Sequence, residues 1–107
     1  VKASSLKQKL KAGETVIGSW ISLGHPAIAE IMARAGYDWL TIDLEHSVID
    51  LKETQELIRT CDLLGVAPLV RLSANDSVQV KRVMDAGAAG VIVPNVKSAS
   101  EAAAAVD

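Results

Sequence analysis

Four consecutive residues, Asp43-Leu44-Glu45-His46, put two carboxylates and an imidazole at the end of a short apolar run, Trp39-Leu40-Thr41-Ile42. Such a run reads as a buried strand. A buried strand that opens onto ionisable groups sets them at a pocket mouth, where burial and neighbouring charge tune their pKa values. His46 can act as a base near neutral pH, and the carboxylates can orient it or hold a cation. The same residues also fit a plain loop, with His46 bonded to backbone, Asp43 capping and Glu45 solvated.

Arg71 ends a second apolar run, Pro68-Leu69-Val70. A guanidinium there needs an anion to offset its desolvation. Either Asp43 or Glu45 supplies it as an ion pair, or a bound carboxylate does through two parallel N–H bonds. In the second case the fixed positive charge also steadies a developing enolate. Asp85 falls in the last turn of a predicted helix, where the macrodipole disfavours a carboxylate. It is either a solvated helix residue or an acid kept for a purpose. Trp20 fits core or pocket wall, and His25 fits a solvent-facing loop. Both His46 and Arg71 are expected to matter more to turnover than to stability.

These residues need elements to position them. Leu6 and Leu10 predict a short opening helix closed by Gly13, and Val16 to Leu23 predicts a first strand. Gly24-His25-Pro26 makes a turn, with Pro26 placed to start a helix whose apolar stripe is Ile28, Ile31, Met32 and Ala35. The second strand is 39–43. Asp50 and Glu53 form a capping box for a helix bearing Leu57, Ile58, Cys61 and Leu64. The third strand is 68–71. Asp76 or Ser77 caps a helix with Val80, Val83 and Met84, and 91–94 is a fourth strand. Ser98 and Glu101 pair as a second capping box before an alanine-rich helix.

Gly36, Gly65 and Gly87 each close a helix just before a strand, so the pattern is a repeating βα unit. Two parallel architectures fit it: a doubly wound sheet or a (β/α)₈ barrel. A doubly wound nucleotide-binding sheet usually carries a glycine-rich turn after its first strand, and Gly24-His25-Pro26 is not one. A barrel gathers polar residues at strand C-termini on one face. Trp20, Ser22, Asp43 to His46, Arg71 and Asn95 all fall at such ends. The reading is a single α/β domain over 1–107: about four βα units, half of a TIM barrel with a parallel sheet.

Composition narrows the class further. With no Phe and only 3% aromatic residues, the core must be aliphatic, which suits a parallel sheet covered by helices. A net charge of −2 gives no pull toward nucleic acid or an anionic membrane. No run approaches the roughly 20 apolar residues of a membrane-spanning helix. Cys61 is the sole cysteine, so no internal disulfide can form and a reducing, cytoplasmic setting fits. Its apolar neighbours predict a structural thiol. There is no metal-binding His/Cys spacing, nucleophile elbow or P-loop. The lysines sit on polar helix faces or in loops, with Lys97 a loop candidate only, which disfavours a lysine-imine mechanism. The chain begins at Val1 and stops in an alanine run, so it is expected to be a piece of a longer one.

Gly18-Ser19-Trp20, Gly36-Tyr37-Asp38-Trp39, Asp43-Leu44-Glu45-His46, Pro68-Leu69-Val70-Arg71, Asp85-Ala86-Gly87 and Val93-Pro94-Asn95-Val96 follow one another in an order that resembles the HpcH/HpaI aldolase family. These are class II pyruvate aldolases typified by 4-hydroxy-2-oxoheptanedioate aldolase. The resemblance spans the whole chain and implies a TIM barrel, a divalent metal (Mg²⁺, Mn²⁺ or Co²⁺), and a homo-oligomer, hexamer or trimer. It implies reversible cleavage of 4-hydroxy-2-oxo acids, from aromatic or sugar acid catabolism, into pyruvate or an analogue and an aldehyde. By the same resemblance His46 is the proton acceptor and Arg71 stabilises the pyruvate enolate. Asp85 raises the basicity of the histidine, Asp43 partners His46, Glu45 holds metal-bound water, and Trp20 lines the substrate pocket. The family's direct metal ligands, a glutamate and an aspartate, fall on later strands that this sequence does not contain. Two other readings stand beside it: a citryl-type CoA-ester lyase on a related barrel, and a non-catalytic half-barrel.

Overall fold

The computed structural model describes residues 3–106. The elements alternate: α1 (Ala3–Lys11), β1 (Gly18–Ile21), α2 (Pro26–Arg34), β2 (Trp39–Asp43), α3 (Leu51–Leu63), β3 (Ala67–Arg71), α4 (Ser77–Asp85), β4 (Gly90–Ile92) and α5 (Ala99–Val106). The strands form one parallel sheet in the order β1-β2-β3-β4. Every strand therefore lies beside its neighbour in sequence, and the order never reverses. Right-handed crossovers that always step the same way put the crossover helices α2, α3 and α4 on one face. A doubly wound sheet needs a reversal, so the fold is an α/β arc of a barrel, as the strand-end residues predict.

The two-residue side-chain period divides the sheet into two faces. Ile21, Leu40, Ile42 and Val70 point one way and are buried against Ala29, Ala33, Leu57, Ile58 and Cys61 of the helices. Trp20, Thr41, Asp43 and Arg71 point the other way, toward what would be the inside of a barrel. A one-residue slip of β2 would exchange these sets, so burial of Leu40 and Ile42 fixes where Asp43 emerges.

Local signals hold most helix starts in place. Asp50 Oδ1 accepts from the Glu53 N–H at 2.7 Å and Glu53 Oε1 accepts from the Asp50 N–H at 3.0 Å, completing the expected capping box of α3. Asp76 caps α4 by accepting from the Val78 N–H. His25 caps α2, its Nδ1 accepting from the Ala27 N–H at 3.0 Å beside Pro26 at the first helical position. The Ser98 pair is only half a box: Ser98 Oγ accepts from the Glu101 N–H, but Glu101 Oε2 accepts from the Lys97 N–H, one residue early. Gly87 follows α4 at φ +106°, a conformation that β-carbon sterics deny most residues, and the chain turns there into β4.

Some expectations need correction. α2 is buried through Ala29 and Ala33, with Met32 of the expected stripe packed partly against the same core, whereas Ile31, 67% exposed, and Ala35 face outward. Small residues let the helix lie close on its neighbours, so the helix is rotated from the orientation that hydrophobicity alone suggests. β1 is shorter than 16–23, because β2 offers partners only from Trp39 to Ile42. β4 ends at Ile92 because β3 ends opposite it at Arg71, and Pro94 has no N–H to extend the ladder. Cys61 is fully buried and burial pushes its thiol up to about 11, which fits the structural reading. Among the described residues no helix is long and apolar enough to cross a membrane.

One glycine bears directly on the inner face. A β-carbon on Gly18 would fall 1.9 Å from the Trp39 ring. Gly18→Ala in the full-length protein is expected to cost about 2–3 kcal/mol in urea unfolding through overpacking. An unchanged midpoint would show that the β1–β2 packing is not as described.

Candidate active site

The site begins where β2 ends. Asp43 is 5% exposed and its carboxylate is saturated. Oδ1 accepts from the Glu45 N–H at 2.9 Å, the His46 N–H at 3.0 Å and Arg71 Nε at 3.1 Å. Oδ2 accepts from Arg71 Nη2 at 2.6 Å. The register pairs Asp43 with Arg71 on β3, so two adjacent strand ends deliver the two charges side by side. Of the alternatives open to Arg71 from sequence, the ion pair with Asp43 is therefore present. It leaves one edge of the guanidinium free.

The loop after β2 is wound around the same carboxylate. The Leu44 N–H donates to the Arg71 carbonyl at 3.0 Å. Ser47 Oγ donates to the Asp43 carbonyl and accepts from the Ile49 N–H. The turn is thus tied at both ends before Asp50 starts α3. Ser47 stands outside the sequence motifs above, though a serine four residues after a strand-ending Asp is a local turn signal.

This turn sets the ring of His46 on Glu45: Nε2 lies 2.7 Å from Oε1. The imidazole partner is Glu45, whereas Asp43 holds His46 only through its backbone N–H. In the neutral ring Nε2 carries the proton donated to Glu45, which leaves Nδ1 as the free base. The ring is two-thirds exposed, and Glu45 is largely buried. The second oxygen of Glu45, Oε2, is buried and unpartnered. An orphaned acceptor of this kind fits a water or another donor outside this chain's described residues.

Trp20 reaches the same cluster from β1, its ring centroid 4.3 Å from Arg71 Cζ. Asp85 does not. It ends α4 and is exposed, and helices antiparallel to the strands finish at the far edge of the sheet from Asp43. The structure therefore gathers Trp20, Asp43, Glu45, His46 and Arg71 and leaves Asp85 apart. A groove of about 420 Å³ between the β2–α3 and β3–α4 loops is lined by Leu44, Ile49, Ser73, Gln79 and Arg82 among others, and by none of the gathered residues. The inner face of a four-strand arc is open on the side away from the helices.

Among the described residues no three His, Cys, Asp or Glu side chains converge on one point. Asp43 is consumed by Arg71 and one oxygen of Glu45 by His46. The donor set therefore does not fit a direct metal site; it offers a single carboxylate oxygen as outer support.

The Arg71 guanidinium, aided by the Glu45 and His46 N–H groups, overcomes burial and holds the Asp43 carboxyl down to about 2, from an ordinary 3.8. The folded-state value lies below the unfolded one. Its stabilisation is thus present above about pH 4 and is lost as the pH falls through about 2. Asp43→Asn is expected to lower the urea midpoint at pH 7 and to flatten its fall between pH 4 and 2. An unaltered acid limb would show that the pair adds nothing.

Residues 16–107 match the family described as HpcH/HpaI aldolase/citrate lyase. A hydroxypyruvate/pyruvate aldolase from Paraburkholderia phytofirmans is 46% identical over 94% of this chain and 40% of its own length. A 4-hydroxy-2-oxo-heptane-1,7-dioate aldolase from Salmonella dublin is 39% identical over 96% of this chain and 39% of its own. The crystal structure of citrate synthase SbnG superposes with a TM-score of 0.82 at 38% identity, over 87% of this chain and 38% of that one. The chain spans about two fifths of the length of the curated relatives it matches. With its parallel βα arc and the family match running from β1 to its last residue, the chain belongs to the HpcH/HpaI aldolase/citrate lyase family.

Proposed function

We propose that the full-length protein is an aldolase that reversibly cleaves a 4-hydroxy-2-oxo acid into pyruvate, or a close analogue, and an aldehyde. The observation that carries this is the joining of a base and an anion-binding cation at two neighbouring strand ends: His46 on Glu45, and Arg71 with one edge free. The relatives named as pyruvate aldolases supply the substrate class.

In the cleavage direction His46 Nδ1 takes the C4 hydroxyl proton, directly or through a water. The O–H electron pair becomes the aldehyde carbonyl as the C3–C4 bond breaks, and the electrons of that bond form the pyruvate enolate. Glu45 stabilises the imidazolium produced, since its Oε1 already faces Nε2. Arg71 supplies fixed positive charge beside the enolate and its carboxylate. Returning the proton to C3 completes pyruvate. Asp43 keeps the Arg71 guanidinium and the Glu45–His46 turn in place.

A divalent cation, Mg²⁺, Mn²⁺ or Co²⁺, would add Lewis-acid stabilisation of the enolate when bound. Its direct ligands would lie outside this chain, with Glu45 Oε2 receiving a water of its shell. Asp85 would act only from a second copy, which makes a homo-oligomer part of this reading. A cytoplasmic setting fits the single reduced thiol.

His46→Ala in the full-length enzyme is expected to lower pyruvate release by about 10²–10³-fold, the usual scale for a lost general base, with little change in urea midpoint. Pyruvate formed is measured by coupled oxidation of NADH, and near-normal release would sink the assignment. Arg71 differs from the expectation drawn from sequence. Its removal strands buried Asp43, so Arg71→Ala must cost stability as well as turnover. Excess EDTA is expected to abolish release and a divalent cation to restore it; undiminished activity would overturn metal dependence. The family description and the SbnG likeness favour a second reading, cleavage or formation of a citrate-type carbon skeleton. Citryl-CoA cleavage with no pyruvate released from 4-hydroxy-2-oxo acids would establish it.

A further inference from the structure

We propose that Trp20 is the positioning residue for Arg71: its indole face holds the guanidinium plane against Asp43, so that the Nη1–Nη2 edge stands as a fixed fork for a carboxylate. The identity of that carboxylate rests on the pyruvate reading above; the clamp itself does not.

Trp20 and Arg71 lie on different sides of β2. The register sets Trp20 beside Thr41 and Thr41 beside Leu69, two residues short of Arg71. The indole and the guanidinium thus meet across β2, with the ring centroid 4.3 Å from Cζ. Thr41 lies between them in register and has no exposure. Its hydroxyl has no hydrogen-bond partner among the described residues.

The donor arithmetic of Arg71 gives the stack its purpose. Nε–H and one Nη2–H go to Asp43. Both Nη1–H groups and the other Nη2–H have no acceptor among the described residues, and the side chain is 24% exposed. A guanidinium gripped along one edge can still swing about its alkyl stem. A ring against its face removes that freedom, and a planar cation is favoured there electrostatically. Trp20 itself is 42% exposed, so the indole is not ordinary core. A pocket wall would shape the choice of aldehyde. A clamp would instead govern how the 2-oxo acid carboxylate is held.

The two roles separate in the full-length protein carrying Trp20→Leu, Trp20→Phe, or Trp20→Leu with Arg71→Gln. The first readout is the Arg71 Nε–H signal in ¹⁵N NMR. It should show a ring-current shift and slow exchange, both lost in Trp20→Leu and mostly kept in Trp20→Phe. The second is pyruvate binding by calorimetry. It should weaken about tenfold in Trp20→Leu, recover most of that in Trp20→Phe, and lose under twofold more when Trp20→Leu is added to Arg71→Gln. An Arg71 signal indifferent to Trp20→Leu overturns the proposal. So does an equal loss of pyruvate affinity with and without Arg71. Should Trp20→Leu not fold, an Arg71 Nε–H in the unsubstituted protein that exchanges at solvent rates without a ring-current shift overturns it too. Absence of pyruvate binding in the unsubstituted protein would refute the functional reading alone, and the Arg71 signal would still decide the clamp.

Discussion

The bond between Asp43 and Arg71 is the interaction on which the rest of the site depends. A carboxylate 5% exposed at the end of the buried strand β2 cannot stay ionised without compensation. Arg71 on β3 provides it with two N–H bonds, and the Glu45 and His46 N–H groups fill the remaining acceptor positions. One charge pair thereby joins two strands, folds the turn that carries Glu45 and His46, and aims the guanidinium. Losing Arg71 leaves the buried Asp43 carboxylate without its cation, so the pair is tied to local stability.

That pair also explains a division of labour between two carboxylates two residues apart. Asp43 is spent on structure: its carboxylate accepts four hydrogen bonds, and its pKa, held down to about 2, keeps it ionised well below neutral pH. Glu45 is only half spent. One oxygen holds the imidazole and the other is buried with no donor to meet it. Residues two apart in an extended chain face the same way, so the hydrogen-bonded turn after β2, and not strand alternation, separates the two carboxylates. The first fixes the turn that holds the second in place.

The βα arc supplies the platform. The unbroken order β1-β2-β3-β4 places successive strand ends next to one another, so Trp20, Asp43 and Arg71 meet although 51 positions separate the first from the last. The helix layer enforces this by burying Leu40, Ile42 and Val70 on the opposite face. The core is aliphatic and shallow, and α2 approaches through Ala29 and Ala33. Close packing of small residues there holds the strands in register without the bulk of aromatic side chains.

Much of this is legible in the sequence. Apolar runs of strand length, glycines before each strand, and the Asp50–Glu53 and Asp76 caps are local signals, because caps and turns are made by residues within a few positions of each other. They place Asp43, His46, Arg71 and Trp20 at strand ends, and the family motifs name them together. What local signals do not contain is which side chain meets which. The resemblance implies that Asp43 partners His46; its carboxylate meets the His46 backbone N–H and Arg71, while Glu45 takes the ring. The stack of Trp20 on Arg71, the burial of Thr41 and the remoteness of Asp85 also arise only when the strands pair in register and the helices run antiparallel to them. Sequence spacing determined which residues stand at the strand ends. Pairing between strands far apart in the chain decided which of them share a charge, because Coulomb attraction and hydrogen bonding depend on distance in space and not along the chain.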